Sequence, residues 1–383
     1  MRRVLLVDTN RASYPIYQTL VTAGYEVTVD GGNPSEPLAK LSENYVNLDY
    51  SNPDQLDHLV KENGFDFIVP GCTDVSYKVC AEINNGRFLG FDTLEKTLSI
   101  NDKDAFRKIA TQIGLSVPRV LSRQEAENSP AIIVKPVDAY SGKGIRVLEA
   151  PSGTDLDQAL ESASQVSQSG QVLLEEFVSG QLFSHSAFIK NGRIVADFVV
   201  REDQTANPFA VDTSRVVSEP KTEILEPLRA EVANLYNTMD LVDGLIHTQF
   251  IADGENYWII EVTRRCPGDL YSLLIEYSTG YPYAANFVAP FLGESCSPIS
   301  DQSHQENIIR HTISSTTSRT LWGLTFSRPV DIRLFVPLLV AGDELSESPI
   351  GRAGIVFFNT ESKEEQDTLY EHLLDGSLYS LNN

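Results

Sequence analysis

The chain has 383 residues and a hydrophobic content of 42%, enough to bury a substantial core and to divide into two to four compact units. Thirty Lys and Arg against 53 Asp and Glu give a formal net charge of −23, a field that repels nucleic acid and anionic lipid surfaces. No nucleic-acid or membrane partner is expected, and any anionic ligand must be held by local Lys, Arg and backbone N–H groups working against the overall sign. Cys72, Cys80, Cys266 and Cys296 show neither CxxC spacing nor disulfide-scaffold density, so reduced thiols are expected and zinc is not. Arg2 and Arg3 precede only the short apolar run Val4 to Val7, too brief for a signal peptide, and no apolar stretch is long enough to span a bilayer. The expected location is the cytoplasm.

Through about residue 95, short β-rich runs alternate with amphipathic stretches: Val4–Asp8, Ser13–Ala23, Glu26–Asp30, Pro53–Glu62, Phe65–Pro70, Val75–Ile83 and Phe88–Gly90. This alternation predicts a Rossmann-like α/β unit with a parallel sheet. The turn after its first strand, Asp8 to Ser13, lacks the glycines that let a backbone approach a pyrophosphate, which argues against a nicotinamide oxidoreductase. A helix is predicted from Asn101, as N-cap, to Gly114. From Pro118, the segments Ala131–Pro136, Ile145–Glu149, Leu156–Ala163 and Val172–Phe177 predict a small α+β module that could move as a lid. Leu182–Ile189 and Arg193–Val200 flank Asn191-Gly192, the strongest hairpin signal in the chain.

A helix near Ile224–Met239 is followed by strand-like runs Gly244–Ala252 and Tyr257–Val262, joined through Asp253-Gly254, and by a helical pattern from Leu270 to Ser278. After residue 300, Asp331–Val340 and Ile355–Asn359 predict a small appended sheet, with a last helix near Lys363–Leu374. The expected units are residues 1–95, 96–300 with a lid at about 117–178, and 301–383.

Two constellations carry chemistry. The run from Ile132 to Ile145 places Lys135, Lys143, Gly142 and Gly144 on a strand and the loop leaving it, a composition suited to polyphosphate, although in isolation the favoured reading is a glycine turn with solvated lysines. Gln249, and Glu261 with Thr263 and Arg265, sit on adjoining predicted strands. With an odd-numbered loop, Gln249 and Glu261 would share one face and could hold magnesium beside phosphate oxygens; with an even-numbered loop they would be separated. A surface hairpin with an Arg–Glu pair is the bland alternative.

With Lys103 and the segment Glu175-Glu176-Phe177-Val178, these motifs occur in the order and spacing that resemble the ATP-grasp superfamily, which includes biotin carboxylase, D-alanine–D-alanine ligase and carbamoyl phosphate synthase. The resemblance spans most of the first 300 residues. It implies an N-terminal Rossmann-like domain, a mobile α+β lid and an antiparallel lobe, with ATP clamped between two sheets. On that resemblance Lys103 and Lys135 bind ATP phosphates, Ser141, Gly142, Lys143 and Gly144 close over them, and Glu175, Glu176, Phe177 and Val178 meet adenine largely through backbone groups. Gln249, Glu261 and Thr263 are the implied ligands of magnesium, with manganese as an alternative ion. Arg265 would steady an acyl phosphate and Arg264 would assist the substrate. Three positions depart from the common pattern: Gln249 replaces an acidic ligand, Thr263 replaces Asn, and Leu182 stands where several relatives carry a ribose-binding Glu.

His185, His247 and His311 are expected to be hydrogen-bonded structural residues, and Cys266 a small buried side chain. Arg215 is a candidate substrate contact in a polar stretch. The reading is an ATP-dependent ligase joining a small carboxylate to an amine. The alternatives are a bicarbonate-using enzyme or a non-catalytic ATP-binding regulator, and the resemblance implies a homodimer.

Overall fold

A computed structural model describes residues 2–139, 142–300 and 305–382. The N-terminal unit alternates β1 (Arg3–Val7), α1 (Tyr14–Thr22), β2 (Glu26–Asp30), α2 (Pro37–Leu41), β3 (Asn44–Val46), α3 (Pro53–Asn63), β4 (Phe67–Pro70) and α4 (Asp74–Asn84). Its four strands are all parallel, in the order β3-β2-β1-β4. Helices cover both faces, which is why Val4 to Val7 form a continuous apolar run with every side chain buried.

At the C-terminal end of β2, Asp30 is fully buried and neither carboxylate oxygen has a hydrogen-bond partner. Burial, reinforced by Asp49, pushes its pKa from 3.8 up to about 8. The folded chain therefore holds a proton that the unfolded chain releases between about pH 4 and pH 8. Stability contributed by this residue falls as pH rises through that window, by on the order of 1.4 kcal/mol per pH unit. Urea unfolding at pH 5 and pH 8 is expected to show a smaller loss of stability for Asp30→Asn than for the wild type. Identical losses would remove Asp30 as the cause.

α5 (Leu94–Asn101) and α6 (Lys103–Gln112) follow. The expected cap at Asn101 is displaced by one residue. Thr93 caps a helix that runs through Asn101, so Asp102 takes the capping role and accepts from the Ala105 N–H at 2.8 Å. Gly90, in the segment leading into α5, has φ +83, and a Cβ there would lie 2.7 Å from the Phe291 nitrogen. Only glycine allows the backbones to approach this closely.

The lid comprises α7 (Arg123–Glu127), β5 (Ala131–Pro136), β6 (Arg146–Glu149), α8 (Gly153–Val166) and β7 (Val172–Glu176), with an antiparallel sheet ordered β6-β5-β7. Leu121, Ile132, Val134, Leu156, Ala159 and Ala163 form a small core separate from that of the lobe.

The lobe contains β8 (Gln181–Lys190), β9 (Arg193–Asp203), β10 (Thr213–Val216), α9 (Thr222–Thr238), β11 (Gly244–Asp253), β12 (Asn256–Thr263), α10 (Tyr271–Thr279) and α11 (Tyr283–Val288). Asn191 and Gly192, at φ 51° and 72°, turn the β8–β9 hairpin as their sequence predicts. The remaining elements are β13 (Asn307–Ile313), β14 (Arg319–Thr320), β15 (Gly323–Phe326), β16 (Asp331–Pro337), β17 (Glu344–Leu345), β18 (Gly354–Thr360), α12 (Lys363–Leu374) and β19 (Tyr379–Asn382). Here the C-terminal segment goes further than an appended sheet. β13, β18 and β16 continue the lobe into one eight-stranded sheet, β12-β11-β8-β9-β10-β13-β18-β16, while β14–β17 and β15–β19 form separate two-stranded ribbons.

One face of this sheet packs on α9 through Ile224, Leu228, Val232 and Leu235, and the other meets α10, α11 and the N-terminal unit. No helix among the described residues is long and apolar enough to cross a membrane.

Candidate active site

The lid and the lobe meet through a buried ion cluster. Lys135 on β5 donates to Glu175 on β7 at 2.6 Å, and Arg107 on α6 donates to the other oxygen of the same carboxylate. Arg107 and Glu175 are almost wholly buried and Lys135 is 8% exposed. Burial alone would raise the Glu175 carboxyl, but Lys135 and Arg107 outweigh it and hold the group below its ordinary value, so it stays ionised. Arg107 also donates to the Ile260 carbonyl on β12 at 2.8 Å, which carries the cluster across to the lobe. Lys103, the first residue of α6, donates to the Ala139 carbonyl at 2.9 Å beside the loop that leaves β5.

That loop reaches the lobe. Gly142 has φ +71, and a Cβ there would meet Phe209 at 2.4 Å; Gly144 has φ +73, while Lys143 between them is exposed. Ser141 lies outside the described residues. Past β7, Phe177 is exposed and its N–H bonds to the Ala131 carbonyl at 3.2 Å, whereas the Val178 N–H has no partner among the described residues. An unpaired hinge amide of this kind fits an acceptor on a flat heterocycle. Glu176 points its carboxylate at the Arg119 N–H, 3.0 Å away.

On the lobe, Gln249 of β11 stands directly opposite Glu261 of β12. The two-residue turn of Gly254 and Glu255 is the even-numbered case, and a regular ladder would have set Glu261 against Thr248 on the α9 side. A β-bulge between Gln249 and Phe250 adds a residue to β12 and returns Glu261 to the face of Gln249. The extra residue is Ile260, whose carbonyl Arg107 holds.

Behind this pair stands Glu202 of β9, which accepts from Gln249 Nε2 and from Ser184 Oγ, each at 2.8 Å. Burial raises its pKa above the ordinary carboxyl range, the Ser184 and Gln249 donors pull it back, and Glu261 adds to the rise. Because Gln249 spends its amide N–H on Glu202, its carbonyl oxygen is left for a cation. No group of three or more His, Cys, Asp or Glu among the described residues is arranged to hold a metal alone. Two side-chain oxygens fit magnesium or manganese when phosphate oxygens complete the shell.

Thr263 and Arg265 are tied to the N-terminal unit. Asp74, at the start of α4, accepts from Arg265 Nε and Nη2, each at 3.1 Å, and from the Thr263 hydroxyl at 3.1 Å. The Thr263 hydroxyl thus spends its proton on Asp74, and Arg265 faces a carboxylate in a bidentate grip. Arg264 points the opposite way: it is 4% exposed, bonded to Asp92 at 2.7 Å and to the Leu245 and Val242 carbonyls. Its geometry is that of a strut, not of a substrate contact. Arg264→Met leaves Asp92 buried without its cation and should cost about 3–5 kcal/mol in urea unfolding. Turnover per folded molecule is expected to be unchanged, and a loss beyond the unfolded fraction would return Arg264 to the reaction.

Arg215 lies away from these residues. Ser214 pairs with Glu202 and shares its face, so period-two alternation turns Arg215 to the other face. There it pairs with Asp367 and stacks over Tyr370 at 4.4 Å, and the expectation of a substrate contact is corrected.

A cluster with no signature in the sequence lies beside Arg265. Asp269, at φ 55°, pairs with Arg352 and with Arg310, whose Nη2 is 3.5 Å away. Arg11, in the turn after β1, feels the charges of Asp269, Arg352 and Glu36, yet its Nε is buried without a hydrogen-bond partner. Two guanidiniums therefore pair with one carboxylate and a third, Arg11, lies within range of its charge, in a protein of net charge −23.

The three histidines are buried and hydrogen-bonded to Asp197, Ser186 and Thr213, as expected. Burial, with Arg265 adding, takes the His247 pKa down to about 3, so it is neutral near pH 7. Cys266 is fully buried and burial lifts its thiol well above the usual range, which leaves no nucleophile there.

A Rossmann-like unit, a three-stranded lid and an antiparallel lobe closing on one another define the ATP-grasp fold, and the chain has it. Among solved structures it is similar over its whole length to phosphoribosylglycinamide synthetase from Anaerococcus prevotii and to L-amino acid ligase from Bacillus licheniformis. In each case the identity is 18% and the TM-score 0.76, with 99% of the other chain covered. It is also similar to the biotin carboxylase domain dimer of 2-oxoglutarate carboxylase from Hydrogenobacter thermophilus, determined with MgADP, ADP and bicarbonate, at 15% identity and a TM-score of 0.74 over all of this chain and 90% of that one.

Among curated proteins, a formate-dependent phosphoribosylglycinamide formyltransferase of Prochlorococcus marinus is 26% identical over 153 residues, 37% of this chain. A carbamoyl phosphate synthase large chain of Methanothrix thermoacetophila is 29% identical over 196 residues, 48% of this chain. The chain covers 39% of the first and 18% of the second. No model of a protein family matches the chain.

Proposed function

We propose that the protein is an ATP-dependent ligase that converts a small carboxylic acid into an acyl phosphate and passes the acyl group to an amine, releasing ADP and phosphate. The observation that carries this reading is the run of contacts from Lys135 through Glu175 and Arg107 to the Ile260 carbonyl, next to Glu261. This run of contacts supports a reading in which Lys135 and Glu261 serve one ligand at the junction of lid and lobe.

In this reading Lys103 and Lys135 balance the triphosphate charge, Gly142, Lys143 and Gly144 cover it, and Val178 meets adenine. Gln249 and Glu261 would hold magnesium, which when bound neutralises phosphate charge during transfer. An oxygen of the acid attacks the γ-phosphorus, the bond to the bridging oxygen breaks, and ADP leaves. The amine nitrogen then attacks the acyl carbon, phosphate departs with the oxygen it gained, and the nitrogen releases a proton to the departing phosphate or to solvent. Arg265 stabilises the acyl phosphate by exchanging part of its Asp74 contact for the new phosphate oxygens. The Arg11, Arg310 and Arg352 cluster receives an anionic part of one substrate. Closure of the lid keeps water from the labile intermediate.

The test is ADP release across pools of amino acids and small acids, with and without bicarbonate. Release that needs both an acid and an amine is the expected result. Release with bicarbonate alone would move the protein to carboxylation chemistry, and nucleotide binding without any release would make it a regulator. A homodimer is the proposed assembly, checked by sedimentation.

A further inference from the structure

A cavity lies on the reverse of the lobe sheet. Phe183 and Phe250 are cross-strand partners and alternate with Ser184 and Gln249, so they face α9 and not the candidate active site. Their rings stack at 5.5 Å and 19° and form the floor of a cavity of about 390 Å³. Val199, Val217, Ile224 and Leu225 make its walls, which is the size and lining of a small-molecule pocket.

The mouth is chemically different. Lys221 stands there as the N-cap of the 17-residue α9 without a side-chain cap bond, and its ammonium makes one long contact, 3.5 Å to the Gly254 carbonyl. Glu223 already supplies a negative charge to the first turn of α9, so the attraction for an anionic head group comes from the Lys221 ammonium. Asp253 on the opposite rim disfavours a second negative charge. The wall also includes Gly180 and Gln181, where the chain enters β8 from the lid, and Phe250 follows Gln249 at the bulge.

We propose that this cavity binds a monoanion with an apolar body, such as a medium-chain or aromatic carboxylate, and that its occupancy alters nucleotide affinity through the segment joining lid and lobe. The apolar body lies on the Phe183–Phe250 stack and the head group meets Lys221. The site is separate from the one to which ligase activity is ascribed, so its binding test does not depend on that activity.

Octanoate is titrated calorimetrically into the full chain with saturating Mg–AMPPNP present, so that the nucleotide site is blocked. Saturable binding is expected. Leu225→Trp, which fills the cavity, should weaken it by about tenfold or more. Lys221→Glu, an exposed change that leaves the core intact, should weaken octanoate by about fivefold while leaving 1-octanol nearly unaffected. ADP affinity measured with and without octanoate should differ by about threefold or more. Absence of binding, or equal affinity in all three proteins, would overturn the site. Binding with unchanged ADP affinity would overturn the coupling.

Discussion

Glu261→Ala is expected to lower ADP formation by at least about a hundredfold with the fold intact, and Lys135→Ala to do the same. The reasons differ. Glu261 is partly exposed on the same face of the sheet as Gln249, and its removal takes away one of the two side-chain oxygens proposed to meet a cation beside the triphosphate. Lys135 is part of a buried cluster, and its loss leaves Glu175 with Arg107 alone. Lys135→Ala should therefore lower stability as well as rate. Steady-state ADP release with circular dichroism on the same samples separates the two effects, and unchanged turnover in either folded variant would remove that residue from the site.

The second large effect is at Arg107. Arg107→Met leaves the fully buried Glu175 partly uncompensated and releases the Ile260 carbonyl, at an expected cost of about 3–5 kcal/mol in urea unfolding. The same loss is expected at Arg264, but the two variants should separate in activity. Arg107 connects the lysine of the lid to the strand that carries Glu261, so the folded fraction of Arg107→Met should also lose ADP formation. Equal activity per folded molecule in both variants would show that the Arg107 bridge serves stability only.

Lys103, Lys135, Gln249 and Glu261 stand out in the sequence as candidates because each sits in a suggestive local context, a glycine loop after a strand or paired strands around a turn, and because the contexts follow one another in a recognisable order. The face of Glu261 was not legible. Alternation with a two-residue turn puts it on the wrong side, and the bulge at Ile260 that corrects this is held by Arg107, 153 residues away in the chain. Glu202, Asp74, Arg310 and Arg352 have no local signature either. They act through partners 47, 191, 41 and 83 residues distant. Arg215 shows the reverse error: a polar stretch suggests a substrate contact, but one step along a strand turns the side chain to the opposite face. At Asn101 the local pattern predicts a helix cap one residue before the observed one at Asp102, because two helices abut there.

The idea on which the rest stands is that one triphosphate touches both halves of the closure. A double-mutant cycle on Mg–AMPPNP binding, measured by calorimetry for wild type, Lys135→Ala, Glu261→Gln and the double variant, tests it directly. If lid and lobe grip the same ligand, each single variant should weaken binding and the double variant should be weaker than either. A Lys135→Ala or Glu261→Gln protein whose binding matches the wild type would place that group at a separate cavity and contradict the account.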